Sequence, residues 1–115
     1  MSKFSTELFV SQNDISATMG TMGTLSVKQF ETYCVIIKNG GASHLDVEFA
    51  AFSHGLCATL NFSLFANQTT KIKPGETEIY QLFGRSFDQL VLKGSSPMAI
   101  AASSIQICFD GRKGN

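Results

Sequence analysis

Tyr33-Cys34-Val35-Ile36-Ile37-Lys38-Asn39-Gly40-Gly41 sets the reading of the whole chain. A run of β-branched and aromatic residues meets an Asn-Gly-Gly turn signal, and a second alternating run, Leu45 to Phe49, follows directly. This is the strongest short-range hairpin signal in the sequence, and it predicts that the two runs pair as neighbouring strands. In the first run Tyr33, Val35 and Ile37 share one face, and Cys34 and Ile36 share the other. Apolar side chains on both faces predict a central strand, covered by core on both sides or by core on one side and a partner on the other. In the second run Leu45, Val47 and Phe49 point inward while His44, Asp46 and Glu48 point out, the pattern of a half-buried strand.

Working outward, Phe4 to Val10 alternates as a first strand and Ser11-Gln12-Asn13-Asp14 is a turn cluster. Ile15 to Thr18 reads as a short strand, and the Met-Gly-Thr repeat of Met19–Thr24 as a slack loop. Exposed methionines on such a loop would suit an adaptable contact. Leu25-Ser26-Val27 opens another alternating run, and Ala58 to Phe65 a further one with Leu60, Phe62 and Leu64 on one face. Lys71 and Lys73 guard a short edge run, and Lys73-Pro74-Gly75-Glu76 is a type II turn signal. Thr77 onward is a strand, Phe83–Phe87 a corner, and Leu90-Val91-Leu92 a strand that ends at Lys93–Pro97. In the last run, Met98 to Asp110, the inward phase shifts across Ser103-Ser104, which predicts a bulge or strand switch there. No stretch has a helical period with caps. About eight short antiparallel strands between Gly, Pro and Asn turns predict one all-β domain over residues 1–115, a β-sandwich of jelly-roll or immunoglobulin-like type. Its expected core includes Val35, Ile37, Val47, Phe49, Leu90, Leu92, Ile105 and Ile107, with residues 1–12 a candidate N-terminal arm and 111–115 a polar tail.

A chain of 115 residues fits one domain with a single core. Charged residues make up 16% of it, below the usual ~25%, while 43% is hydrophobic, and ten Phe with no Trp make Phe the main packing residue. Nine basic and nine acidic residues give a net charge of +0. There is no basic stripe to displace counterions from a phosphate backbone and no field toward an anionic membrane, so neither nucleic acid nor membrane is an expected partner. Near-neutral proteins associate readily. Three cysteines, Cys34, Cys57 and Cys108, argue by their odd count against a closed disulfide framework. Cys34 and Cys108 sit in apolar runs, and Cys57 lies in a loop as the more reactive thiol. Met1–Glu7 has no apolar signal region and no run reaches membrane-spanning length, so synthesis in the cytoplasm is expected.

Little in the chain carries chemistry. His44, Asp46 and Glu48 at i, i+2 and i+4 share a strand face and form a weak metal candidate, with no second cluster to complete it. His54 and Cys57 share a loop without an orienting third group or an oxyanion site. The glycines form no phosphate-binding loop. Tyr33, Tyr80 and the Phe set could include an exposed platform for sugar, but there is no Trp, and most of them read as core. Asn61-Phe62-Ser63 and Asn67-Gln68-Thr69 match the glycosylation sequon by chance. No catalytic residue and no cofactor is expected.

Lys38-Asn39-Gly40-Gly41, the Lys73-Pro74-Gly75-Glu76 turn, Phe87-Asp88-Gln89-Leu90-Val91-Leu92-Lys93-Gly94 and the closing apolar strand span about residues 30 to 109. This pattern resembles small β-sandwich structural proteins of tailed-phage virions, of the head-decoration or cement kind. It also looks like β-domains of bacterial surface proteins with a Lys-Asn-x-Gly hairpin. The resemblance rests on turn chemistry and carries no functional residue over. It implies a non-enzymatic, self-associating structural role: a virion protein made in the host cytoplasm, binding a capsid lattice as a homo-oligomer. The alternatives are a bacterial surface or appendage subunit and a carbohydrate-binding module. Phe4, Leu8, Val10, Met19 and Met22 are the interface candidates.

Overall fold

Alternating apolar residues fix which side of each strand faces the core, and the computed structural model shows how those strands are shared between two sheets. It describes residues 4–60, 70–83 and 87–113. The strands in chain order are β1 Phe4–Val10, β2 Gly20–Ser26, β3 Thr32–Asn39, β4 Leu45–Ser53, β5 Leu56–Leu60, β6 Lys71–Ile72, β7 Thr77–Phe83, β8 Gln89–Ser95 and β9 Ile105–Arg112. Sheet one has the order β1-β9-β3-β7 and sheet two the order β2-β8-β4-β5. β6 pairs with β4 at Leu45 and Asp46, on the same edge that β5 occupies farther along. Every pairing is antiparallel. The chain passes from one sheet to the other at nearly every connection, which is jelly-roll winding and decides against the immunoglobulin-like alternative.

The expected hairpin at Asn39-Gly40-Gly41 is therefore corrected. β3 pairs with β7 and β9 in sheet one, while β4 pairs with β8, β5 and β6 in sheet two. The Asn-Gly-Gly segment is a corner between sheets, fixed by a fully buried side chain. The Asn39 Nδ2 donates to the Ser43 carbonyl and the Ile72 carbonyl, each at 2.9 Å, and its Oδ1 accepts from the Gly41 N–H at 2.9 Å. Its backbone N–H donates to the Glu76 carbonyl, and its carbonyl accepts from the Gly75 N–H. Gly40 donates to the Ser104 carbonyl at 2.8 Å, an approach so close that a Cβ on Gly40 would lie 2.8 Å from that same oxygen.

Among the described residues a tight hairpin lies elsewhere, between β4 and β5. His54 and Gly55 both have positive φ, 53° and 81°, as the two central residues of a type I′ turn require. Lys73–Glu76 forms the expected type II turn, with Gly75 at φ 80° and the Glu76 N–H donating to the Lys73 carbonyl. The slack loop expected at Met19–Thr24 is a strand for most of its length: Gly20–Ser26 is β2, with an irregularity between Thr21 and Gly23. Ile15 makes an isolated bridge with Ile100. The phase shift at Ser103-Ser104 is a 3-10 turn over Ala102–Ser104 that leads into β9.

The core fills the space between the sheets. Val35, Ile37, Val47, Phe49, Leu90, Leu92, Ile105 and Ile107 are all buried, joined by Met22, Leu45, Ile72 and Tyr80. Phe49 of sheet two meets Tyr80 of sheet one at 4.9 Å between ring centroids, tilted by 52°, the offset geometry that aromatic rings prefer. Phe30, Tyr33 and Phe109 form a second aromatic cluster.

Candidate interaction surface

With Tyr33, Val35 and Ile37 committed to the core, the opposite face of β3 must look outward, and the register shows what accompanies it. Leu8 of β1 lies opposite Cys108 of β9, Cys108 opposite Ile36 of β3, and Ile36 opposite Ile79 of β7. Leu8, Cys108, Ile36 and Ile79 thus form one apolar row across all four strands of sheet one, on its outer face. Leu8 is 80% exposed and Ile79 54% exposed. Covering a Leu or Ile side chain contributes roughly 1.5–3 kcal/mol, so a partner seated on this row would gain from Leu8 and Ile79 alike.

Mostly polar rows flank the apolar one. On one side run Thr6, Asp110, Cys34 and Gln81, and on the other Val10, Gln106, Lys38 and Thr77. Asp110 accepts a hydrogen bond from the Thr6 hydroxyl at 3.3 Å and pairs with the Arg112 guanidinium at 3.3 Å. Burial pushes the Cys34 thiol above its ordinary value of 9.0, and the Asp110 carboxylate and then Cys108 add to the shift. Cys34 on this face is a protonated, half-buried thiol at neutral pH. Over β9, between Leu8 and Val10 on one side and Ile36 and Lys38 on the other, lies a hollow of about 500 Å³.

The interface candidates divide. Leu8 and Val10 are on this face and exposed. Phe4 is in β1 opposite Arg112, and its side chain lies outside the described residues. Met19 precedes β2 and is 38% exposed, whereas Met22 is fully buried in the core. Met22 as a contact residue is a correction: its glycine neighbours suggest a loop, but it stands at the irregularity of β2 between Thr21 and Gly23, with its side chain buried in the core. The sequence reading missed Ile79. Its neighbours Glu78 and Tyr80 left the phase of β7 open until burial of Tyr80 settled it.

The outer face of sheet two differs in character. His44 Nε2 lies 3.5 Å from Asp46 Oδ2, and Glu48 follows on the same face. The register sets Lys71 opposite Asp46 and Lys93 opposite Glu48, so the acidic row faces cations across the strands. Among the described residues no group of three His, Cys, Asp or Glu side chains is placed to hold a metal ion. His54 sits in the hairpin, its N–H donating to Asp88 Oδ2 at 3.1 Å and its Nδ1 3.2 Å from the Ser53 hydroxyl. Cys57 is exposed, opposite Phe52 in the register. The large hydrophobic side chains exposed among the described residues are aliphatic or Met, none aromatic, so no ring platform for sugar stacking is among them. Both sequons, with Phe62 and Leu64, lie outside the described residues. Among the described residues no helix is long and apolar enough to cross a membrane.

No protein-family model matches this chain, and no curated protein matches its sequence. Solved structures do share the fold. The crystal structure of the SPBc2 prophage-derived protein YomS is similar with a TM-score of 0.62 at 10% identity, covering 96% of each chain. Murine APRIL is similar at 0.52 and 11% identity, over 95% of this chain and 99% of that one. The PRD1 vertex protein P5 follows at 0.49 and 13% identity, over 97% and 96%. At such identities the likeness concerns the fold alone.

Proposed function

We propose that this chain is a non-enzymatic structural subunit that works by assembling into a larger protein particle, and specifically a virion protein seated on a capsid lattice. The observation that carries the assembly reading is the open apolar row Leu8–Cys108–Ile36–Ile79 on the outer face of sheet one. An aliphatic row rimmed by polar side chains has the composition of a protein contact, with a dehydrated centre and a wet margin. A net charge of +0 puts no repulsion between copies. The virion assignment rests on the turn segments that resemble phage decoration proteins, and a fold in common with a prophage-derived protein agrees with it. The test is to purify particles on a density gradient from the source lysate and quantify peptides of this chain. Near-stoichiometric recovery with the major particle protein is expected. Recovery only in the soluble fraction would refute the virion role.

A second reading, a surface or appendage subunit, is favoured by one observation, the exposed Cys57 beside the β4–β5 hairpin. Reductant-sensitive, cross-linked multimers that vanish in Cys57→Ser would select it.

A further inference from the structure

We propose that the outer face of sheet one binds a second copy of this chain, face to face about a two-fold axis. The axis runs along the strands, midway between β9 and β3. This inference deepens the assembly reading by naming the partner. It requires only that the subunit associates, not that its particle is a virion.

Three observations choose a second copy. The face is ridged: Leu8 on β1 and Ile36 on β3 stand on either side of the 500 Å³ hollow over β9. A two-fold between β9 and β3 lays Ile36 into the partner's hollow at Cys108 and sets Leu8 against the partner's Ile79, and both contacts occur twice. The face is thus complementary to itself, which a two-fold contact demands. The same operation places Lys38 over the partner's Gln106 and Asp110 over the partner's Cys34, so neither charge lies directly across from its own kind. Four strands at ~4.8 Å spacing and seven residues at ~3.4 Å give a footprint of roughly 450 Å². Side-chain relief raises the accessible surface lost to roughly 1,200 Å² over both copies, the lower end for a specific contact. An axis parallel to the strands also yields the aligned arrangement in which sheets pack face to face.

The alternative use of the two thiols on this face fails on distance. Sheets that pack face to face lie about 10 Å apart, beyond the 4.4–6.8 Å between Cα atoms that a disulfide spans. The contact should therefore ignore reductant.

Sedimentation equilibrium on the full chain, with circular dichroism as the fold control, decides the matter. The wild type is expected to dimerise at micromolar concentrations in the presence of reductant. Leu8→Asp and Ile79→Lys, both at exposed positions, should each weaken the dimer at least about tenfold while keeping the circular dichroism spectrum and the melting temperature of the dilute, monomeric wild type. The combined variant Leu8→Asp/Ile79→Lys should recover affinity, because each new carboxylate meets a new ammonium on the partner. A wild type monomeric at ~100 µM would overturn the proposal. So would single variants that associate like the wild type, or a combined variant no tighter than either single one. A dimer from a protein absent from purified particles would leave this contact standing and remove only the virion role.

Discussion

Asn39 shows how much one side chain decides. Local chemistry reads Asn-Gly-Gly as a hairpin, because Asn and Gly tolerate the backbone such turns need. The side chain is instead spent on a long-range contact, the Ile72 carbonyl 33 residues away, as well as on Ser43 and Gly41. No local window contains that partner, so the sequence could not reveal that the corner changes sheets. Asn39→Ala would strand buried polar groups on three segments, and we expect a loss of about 2–4 kcal/mol in urea melts. A loss under about 0.5 kcal/mol would show that the corner is held by its backbone bonds alone. Tyr80 offers a second test at this scale. Burial, and then the Glu78 carboxylate, raises its phenol above the ordinary 10.0. The native state therefore keeps a proton that the unfolded chain gives up, so stability is full below pH 10 and falls as pH rises beyond it. The raised Cys34 thiol acts in the same direction from pH 9 upward. Tyr80→Phe should flatten the decline above pH 10, measured as urea midpoints against pH, and an unchanged slope would exclude Tyr80 as its source.

At the scale of elements, alternation was legible and partnership was not. Val35, Ile37, Val47, Phe49, Leu90, Leu92, Ile105 and Ile107, the strand residues expected in the core, are all buried, because the period of two fixes which side of a strand faces inward. The same period says nothing of which strand lies beside it, so β3 and β4 looked like neighbours. β2 was hidden by its glycines: Gly23 is bare because a Cβ there would come within 2.8 Å of the Phe9 ring, and that glycine imitates a loop. At β4–β5 a His occupies the first positive-φ position of the type I′ turn, where Asn, Asp or Gly is the usual signal, so local turn chemistry does not announce that hairpin. The sequence makes residues 1–12 a candidate arm, and in the structure β1 lies on β9 of its own chain from Phe4 opposite Arg112 to Val10 opposite Gln106. Its end is held by Phe9 against the core and by the Ser11 N–H on the Ile105 carbonyl. Deleting residues 1–12 should therefore lower the melting temperature of the domain itself. A truncated chain that melts like the wild type but loses its oligomers would show instead that the segment serves a neighbour.

At the scale of the molecule the two sheets present different outer faces. Sheet two sets Asp46 and Glu48 against Lys71 and Lys93, while sheet one carries an open aliphatic row. Apolar residues on both faces of β3 did signal this from the sequence, since one face had to be left over once the other entered the core. The row itself was not legible, because Leu8, Cys108, Ile36 and Ile79 are brought together only by strand order. The three cysteines report on both faces, with Cys34 and Cys108 half-buried on the outer face of sheet one and Cys57 exposed on the β4–β5 hairpin. Thiol labelling followed residue by residue in mass spectra, over a range of protein concentrations, tests directly whether sheet one is the face that assembles. Labelling of Cys34 and Cys108 should slow as concentration rises while that of Cys57 stays constant. Rates independent of concentration at all three, or protection of Cys57 alone, would contradict it.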